Sequence, residues 1–358
     1  MQINNYDLYL RLFITIVLCL SGFFIPKNKL IFALQSFWLI VITCFNTRSA
    51  DWLGNQQYYD IVSLENNTNY SNFFLNLLIT IGKNVGLSFT EFNGVFAGIV
   101  SVTIIIVIRK YSSNPNIVLS LWYIFPFIDN IIQKRAYYGL GLTILAVMLL
   151  LNNKHSLKIN FYYIILILFA AQIHEMYLYY LTLPIFIFIK NNWKKYFILL
   201  IIILEFLFRN KFVGLLNNTL ISDKSTYFLG GVGNISVLGV LSIIIWQLAQ
   251  LCIILYVSKG KDKKIVYLNL WALTLMPLYF FGAVFNRIYR IVLFVNDVKI
   301  SNLIDRNNIY MFNIKEEGIL FIYMLIMIIS FILFDVNGIG GIENMVFQIF
   351  ESNYLLNL

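Results

Sequence analysis

The feature that most confines this chain is a series of apolar runs, most of them about 15 to 20 residues long, recurring from Leu8 to Phe334. Stretches such as IIIVI (104–108) and YYIILILFAA (162–171) are apolar on every side and do not alternate. That pattern suits helices, which satisfy their own backbone in lipid, and not the strands of a membrane barrel. Composition agrees: 60% of residues are hydrophobic and 12% charged, about half the charge of an ordinary soluble protein. A soluble protein is therefore excluded. The expected fold is all-α, a single multi-pass membrane bundle over residues 1–358. It should have about 11 transmembrane helices, extracytoplasmic loops and a short interfacial helix.

The candidate spans are 8–25, 30–45, 92–108, 117–132, 138–151, 161–173, 176–189, 196–208, 237–257, 265–285 and 319–334. Several are shorter than the roughly 20 residues that cross a bilayer unaided, which points to a polar, water-filled cavity among them. The segment 70–83 carries apolar residues at helical spacing on one face and reads as a helix on the outer surface. The N-terminal stretch has no small-residue cleavage site and reads as a retained first helix.

Orientation follows from the lysines and arginines. Lys27, Lys29, Arg109, Lys110, Lys154, Lys158, Lys190, Lys194, Lys195, Lys259, Lys261, Lys263 and Lys264 fall in short loops with one acid, Asp262. The alternate segments 46–91, 209–235 and 286–318 are long and mix acids with bases. The basic loops are expected in the cytoplasm, the N-terminus and long loops outside, and the C-terminus inside. A net charge of +9 then reflects topology and anionic lipid, and no basic run is interleaved with aromatics as in a nucleic-acid surface. Cys19, Cys44 and Cys252 sit in apolar runs without metal-site spacing, and of the two histidines only His174 has an apolar context. No Walker loop, G-x-S-x-G, zincin helix or dinucleotide fingerprint is present, and neither an internal repeat nor the paired broken spans of an inverted-repeat carrier is visible. No cofactor or metal is expected.

Ionisable groups at membrane depth are costly, which makes each a candidate for function. In TRSADWLGNQQYYD, Arg48, Asp51, Tyr58 and Tyr59 suit phosphate and sugar, or else anchor the interface around a solvated pair. In QKRAYYG, Lys134 and Arg135 stand at an outer helix N-terminus, which suits an anion; the alternative is a lysine snorkelling to headgroups. In AQIHEMY, His174 beside Glu175 suits a general base, or a polar turn touching water. In FNRIYR, Arg287 and Arg290 lie one helical turn apart and suit a pyrophosphate, or anchor to headgroups. Glu205 is a lone carboxyl within an apolar run, without an assigned role.

In the order R-x-x-D-x-x-x-x-x-x-Y-Y, then NFFLNLLITIGKNVGLSFTEF, then Lys134-Arg135, then QIHE, then NRIYR, the chain resembles the EpsG-type, Wzy-like polysaccharide polymerases of bacteria. The resemblance spans roughly 45–294. The first site has R-S-A-D where members typically have R-x-G-x-D, and Glu175 stands where a small hydroxyl residue is common. The resemblance implies a glycosyltransferase of the bacterial cytoplasmic membrane with its active site on the extracytoplasmic side. It would join undecaprenyl-pyrophosphate-linked repeat units of a capsule, O-antigen or exopolysaccharide. Its partners would be that lipid-linked oligosaccharide, membrane lipids, a chain-length co-polymerase and a flippase, with no nucleic acid. His174, Glu175 and Arg135 would then be catalytic. Arg48, Asp51, Tyr58, Tyr59, Lys134, Arg287 and Arg290 would bind substrate. The competing readings are a lipid-linked oligosaccharide flippase or exporter and a membrane acyltransferase modifying surface polysaccharide. Arg48, Arg135, His174, Arg287 and Arg290 are expected to converge on one outward-opening cavity.

Overall fold

The computed structural model describes residues 5–62, 72–154, 156–207, 236–258, 262–282, 285–303, 314–336 and 341–356. Among them every regular element is helical, and the one extended pairing is an isolated bridge between Asn46 and Asn353. The first half comprises α1 (Asn5–Phe24), α2 (Lys29–Cys44), α3 (Trp52–Ile61), α4 (Phe73–Asn84), α5 (Phe89–Tyr111), α6 (Pro115–Ile124), α7 (Phe127–Ile132), α8 (Lys134–Asn152) and α9 (Leu157–Ala171). A 3-10 segment (Glu175–Leu181) leads into α10 (Thr182–Phe188), followed by α11 (Asn191–Leu207), α12 (Val237–Ser258), α13 (Lys263–Trp271), α14 (Asn286–Ser301) and α15 (Ile314–Phe331). Local signals set several starts: Asn28 accepts from the amides of Leu30 and Ile31, and Ser88 with Glu91 forms a capping box on α5.

Five described helices are long and apolar enough to cross a membrane: Tyr6–Phe24, Phe89–Tyr111, Lys134–Asn152, Val237–Ser258 and Glu316–Val336. Four shorter apolar helices, Lys29–Cys44, Pro115–Ile124, Leu157–Ala171 and Glu175–Phe188, accompany them, so length and composition do not reproduce the expected count of about 11. The reason is visible in the chain. The expected span 117–132 is divided at Pro126 into α6 and α7, and 265–285 breaks after Trp271 into a 3-10 turn (Ala272–Leu275) and a short turn (Met276–Tyr279) around Pro277. The span 176–189 is 3-10 in its first half. Backbone groups freed at these breaks find side chains. Pro184 has no amide to offer the Tyr180 carbonyl, which accepts from the Tyr163 hydroxyl at 2.7 Å, and the Ala272 carbonyl accepts from Gln247 Nε2 at 2.6 Å.

The largest departure from expectation is α14, which the sequence places in an outer loop. It lies in the middle of the bundle, with every residue from Ile288 to Val298 buried. A helix carrying Arg290, Asn296 and Asp297 tolerates this because each polar group meets another helix. Arg290 pairs with Asp129, Asn296 exchanges hydrogen bonds of 2.8 and 3.0 Å with Asn269, and Asp297 accepts from the Tyr323 hydroxyl at 2.9 Å.

The far end of α14 locates the basic loops. Ser301 is hydrogen-bonded to Ser112 just beyond α5, and Lys299 pairs with Asp262 just before α13. Lys264 donates to the carbonyls of Leu150 and Asn153 at the end of α8, while Lys194 donates to those of Phe186, Ile187 and Ile189 at the end of α10. Those lysines cap helix C-termini as well as carrying the charge bias. Arg135 stands at the opposite end of α8, about 26 Å from its last residue along a 19-residue helix. Because α14 makes an additional pass, the C-terminal segment returns to the end where α1 begins: Asn353 bridges to Asn46, and Arg11 donates to the Phe350 carbonyl at 2.7 Å. This corrects the expectation of termini on opposite sides. Tags at the two termini should be accessible to an externally added probe together or not at all. Opposite accessibility in intact cells would overturn the passage of α14 through the bundle.

Candidate functional site

The site forms at the end of the bundle remote from the basic loops, where α3, α4, the start of α8, the 172–175 turn and the start of α14 meet. Gln133 ends α7 and opens α8, and its side-chain amide donates to Asp129 at 2.7 Å. The next two residues diverge. Lys134 is buried, with its ammonium 4.8 Å from the centre of the Trp52 ring. Arg135 is half-buried and lays its guanidinium 4.9 Å from the centre of the Tyr58 ring.

Tyr58 connects three further elements. Its hydroxyl donates to Asn76 Oδ1 on α4 at 2.6 Å. Burial raises the phenol above its ordinary pKa, the Arg135 charge and the Asn76 hydrogen bond act in the opposite sense, and the Glu175 carboxylate raises it again. Arg135 and Glu175 therefore act on the same phenol from α8 and from the 3-10 segment. The helix α4, expected on the outer surface, is also part of this construction. It buries Leu75, Asn76 and Ile79, its Leu75 amide donates to the Gln172 carbonyl at 3.3 Å, and Phe74 packs edge-on against Phe169 with centroids 5.0 Å apart. Tyr58, Tyr59, Asn55, Phe89, Phe92, Arg135 and Tyr138 are among the residues lining a hollow with room for about one water molecule.

His174 is the cap residue of the 3-10 segment, with its Nδ1 accepting from the Met176 amide at 3.4 Å. Two of the three tyrosines that follow tie this segment to the backbone beside the cationic residues. Tyr177 donates to the carbonyl of Ala136, the neighbour of Arg135, at 2.5 Å. Tyr180 donates to the carbonyl of Ile288, the neighbour of Arg287, also at 2.5 Å. Both are fully buried, so the hydroxyl of each must find a partner inside the protein. Sequence reading missed these two residues; their signal is Y-x-x-Y one residue after H-E in an otherwise apolar stretch.

The paired arginines are not equivalent. Arg290 is buried, forms an ion pair with Asp129 and donates to Asn130 Oδ1 at 3.1 Å, so its charge is already neutralised within the protein. Asp335 is buried beside this pair and feels the charges of both members. Arg287 is half-buried and feels the charges of Arg290, Asp129, Asp51 and Arg135. Of the pair, it is the arginine whose charge interacts with those of Asp51 and Arg135. The expected joint grip of Arg287 and Arg290 on one anion thus becomes a division of labour, because an arginine held by a buried carboxylate is unavailable to a ligand without breaking that pair.

Of the other expected residues, Asp51 is exposed at the start of α3 and its charge reaches Arg287. Arg48 is exposed, and its carbonyl accepts from Asn46 Nδ2 at 2.8 Å. The Tyr59 hydroxyl is committed to the Leu87 carbonyl at 2.5 Å, while its ring packs against Phe89 and Phe92. The structure therefore gathers Arg135, Tyr58, Glu175, Asp51 and Arg287 around one region with His174 in the adjoining turn, and leaves Tyr59, Lys134 and Arg290 in packing and pairing roles. Among the described residues no group of three or more His, Cys, Asp or Glu side chains assembles as a metal site, and the three cysteines are unpaired thiols.

The ion pair supplies a test. Arg290→Met should cost about 3–5 kcal/mol of stability because it leaves Asp129 buried without its counter-charge. The double variant Asp129→Leu/Arg290→Met should lose far less. Thermal unfolding of the purified protein in detergent measures this, and additive losses would exclude the pairing.

Comparison with curated proteins and with solved structures returns no match. A family model, however, aligns with residues 29–348, almost the whole chain and all the residues just described. The chain belongs to the EpsG family.

Proposed function

We propose that this membrane protein is a polysaccharide polymerase, a glycosyltransferase that joins repeat units carried on undecaprenyl pyrophosphate at the extracytoplasmic face of the bacterial cytoplasmic membrane. Membership of the EpsG family supports polymerisation as the general activity. The observation that carries the finer reading is the gathering of Arg135, Arg287, Tyr58 and Glu175 at the end of the bundle opposite the basic loops. By the positive-inside rule those loops face the cytoplasm, so the gathered residues face outward.

Transfer of a glycan from a pyrophosphate carrier needs two things: neutralisation of negative charge on the departing pyrophosphate and removal of a proton from the attacking sugar hydroxyl. Arg135 and Arg287 meet the first need, since a guanidinium offers phosphate oxygens two parallel donors. Tyr58 and Asp51 would orient the sugar that receives the chain. Two groups compete for the second role. With the Met176 amide directed at His174 Nδ1, the neutral imidazole carries its proton on Nε2, and Nδ1 is not open to take a proton from the sugar. Glu175 then serves as the base that accepts the hydroxyl proton. This refines the simpler expectation of His174 as base assisted by Glu175.

The measurement is the size distribution of lipid-linked saccharides in cells carrying single substitutions. Arg135→Ala and Glu175→Gln should leave the protein in the membrane, cut polymer formation by about 10²-fold or more, and cause single lipid-linked repeats to accumulate. His174→Gln should be milder than Glu175→Gln, and the reverse order would return the base to His174. Repeats trapped at the cytoplasmic face would indicate a flippase, and full-length polymer lacking acyl groups an acyltransferase; either would replace this reading.

A further inference from the structure

Glu205 lies on α11, and its environment raises a proton-counting problem. Its Oε1 is 2.8 Å from the Tyr179 hydroxyl, which is 2.7 Å from Thr274 Oγ1, which in turn is 2.7 Å from the Trp271 carbonyl. The chain Glu205–Tyr179–Thr274–Trp271 thus has three short contacts, whereas its two hydroxyls hold one proton each. A carbonyl at one end can only accept. All three contacts are hydrogen bonds at once only if the third proton comes from the Glu205 carboxyl.

The surroundings agree with that count. Glu205 is 6% exposed, and its second oxygen has no hydrogen-bond partner among the described residues. A charged oxygen left so would be far more costly than the carbonyl oxygen of a neutral acid. The chain also joins separate parts of the fold. Glu205 is on α11, Tyr179 on the 3-10 segment that opens with Glu175, and Thr274 on the turn Ala272–Leu275, while the Trp271 ring packs on Tyr179 and Tyr180 and donates to Thr182 at 2.8 Å.

We propose that Glu205 is a positioning residue that works as a neutral carboxylic acid, its proton completing the chain through Tyr179 and Thr274 and fixing the 3-10 segment beneath His174 and Glu175. The consequence for activity rests on the polymerase reading above, but the protonation itself does not. Infrared spectra of the purified protein in lipid nanodiscs at neutral pH should show a protonated-carboxyl band that is missing in Glu205→Gln. A carboxylate band lost in its place would overturn the proposal whatever reaction the protein performs. In a polymerisation assay Glu205→Gln, whose amide also donates to Tyr179, should stay within about twofold of the wild type. Glu205→Leu and Tyr179→Phe should each lose about tenfold or more. Equal loss in Glu205→Gln and Glu205→Leu would refute the requirement for a donated proton, and Glu205→Gln keeps the test decisive if the leucine variant does not fold.

Discussion

The arrangement of this protein depends on a constraint set by its solvent: inside a bilayer a charged group must be met by protein, because no water is there to meet it. Arg290 and Asp129 satisfy that constraint for each other. Their pair holds α14, the least apolar of the central helices, against α7, a short helix that exists because α6 stops before Pro126. Once α14 is pinned, Arg287 is held one turn before Arg290, where its charge interacts with those of Asp51 and Arg135. Two arginines in one motif divide into a structural member and a free one because a single nearby helix supplies the carboxylate that claims Arg290.

A second layer of construction is made of hydroxyl groups. The 3-10 segment after His174 is short and rests on tyrosines that reach the backbone beside each cationic residue, Ala136 next to Arg135 and Ile288 next to Arg287. Hydrogen bonds of this kind contribute only about 1 kcal/mol each, yet they are directional, and in a dry interior leaving one unmade is more costly than making it is favourable. They set the spacing of groups whose charges would otherwise push apart. The same segment is reached from behind by Tyr163 and by the chain that ends at Glu205, so its position is determined from several helices at once.

Much of the fold was legible because apolar runs of helical length have few alternatives in lipid: α1, α2, α5, α8, α9 and α12 lie where the sequence places spans. What failed was polarity averaged over a segment. The stretch beginning NRIYRIVLFVND reads as a loop because its Arg, Asn and Asp residues lower its mean hydropathy, and their partners lie far away in sequence, at 129, 269 and 323. With that pass missing, the sequence places the C-terminus at the opposite end from where the structure has it. The charged site residues were legible because charge at membrane depth is rare. Tyr177 and Tyr180 were not, because tyrosine in a membrane protein ordinarily marks an interface, and nothing local says that these two are buried with committed hydroxyls.

The sequence by itself determined the solvent, the helical class, the end of the bundle that carries the basic loops and the motif residues from which a site could be drawn, because each follows from composition and short-range spacing. Tertiary structure alone decided that α14 crosses the core, that Arg290 and Tyr59 are occupied while Arg135, Arg287 and Glu175 face one region, and that α4 packs over the 172–175 turn. Those outcomes depend on which side chains separated by tens to hundreds of residues come within hydrogen-bonding distance, and no local pattern encodes that.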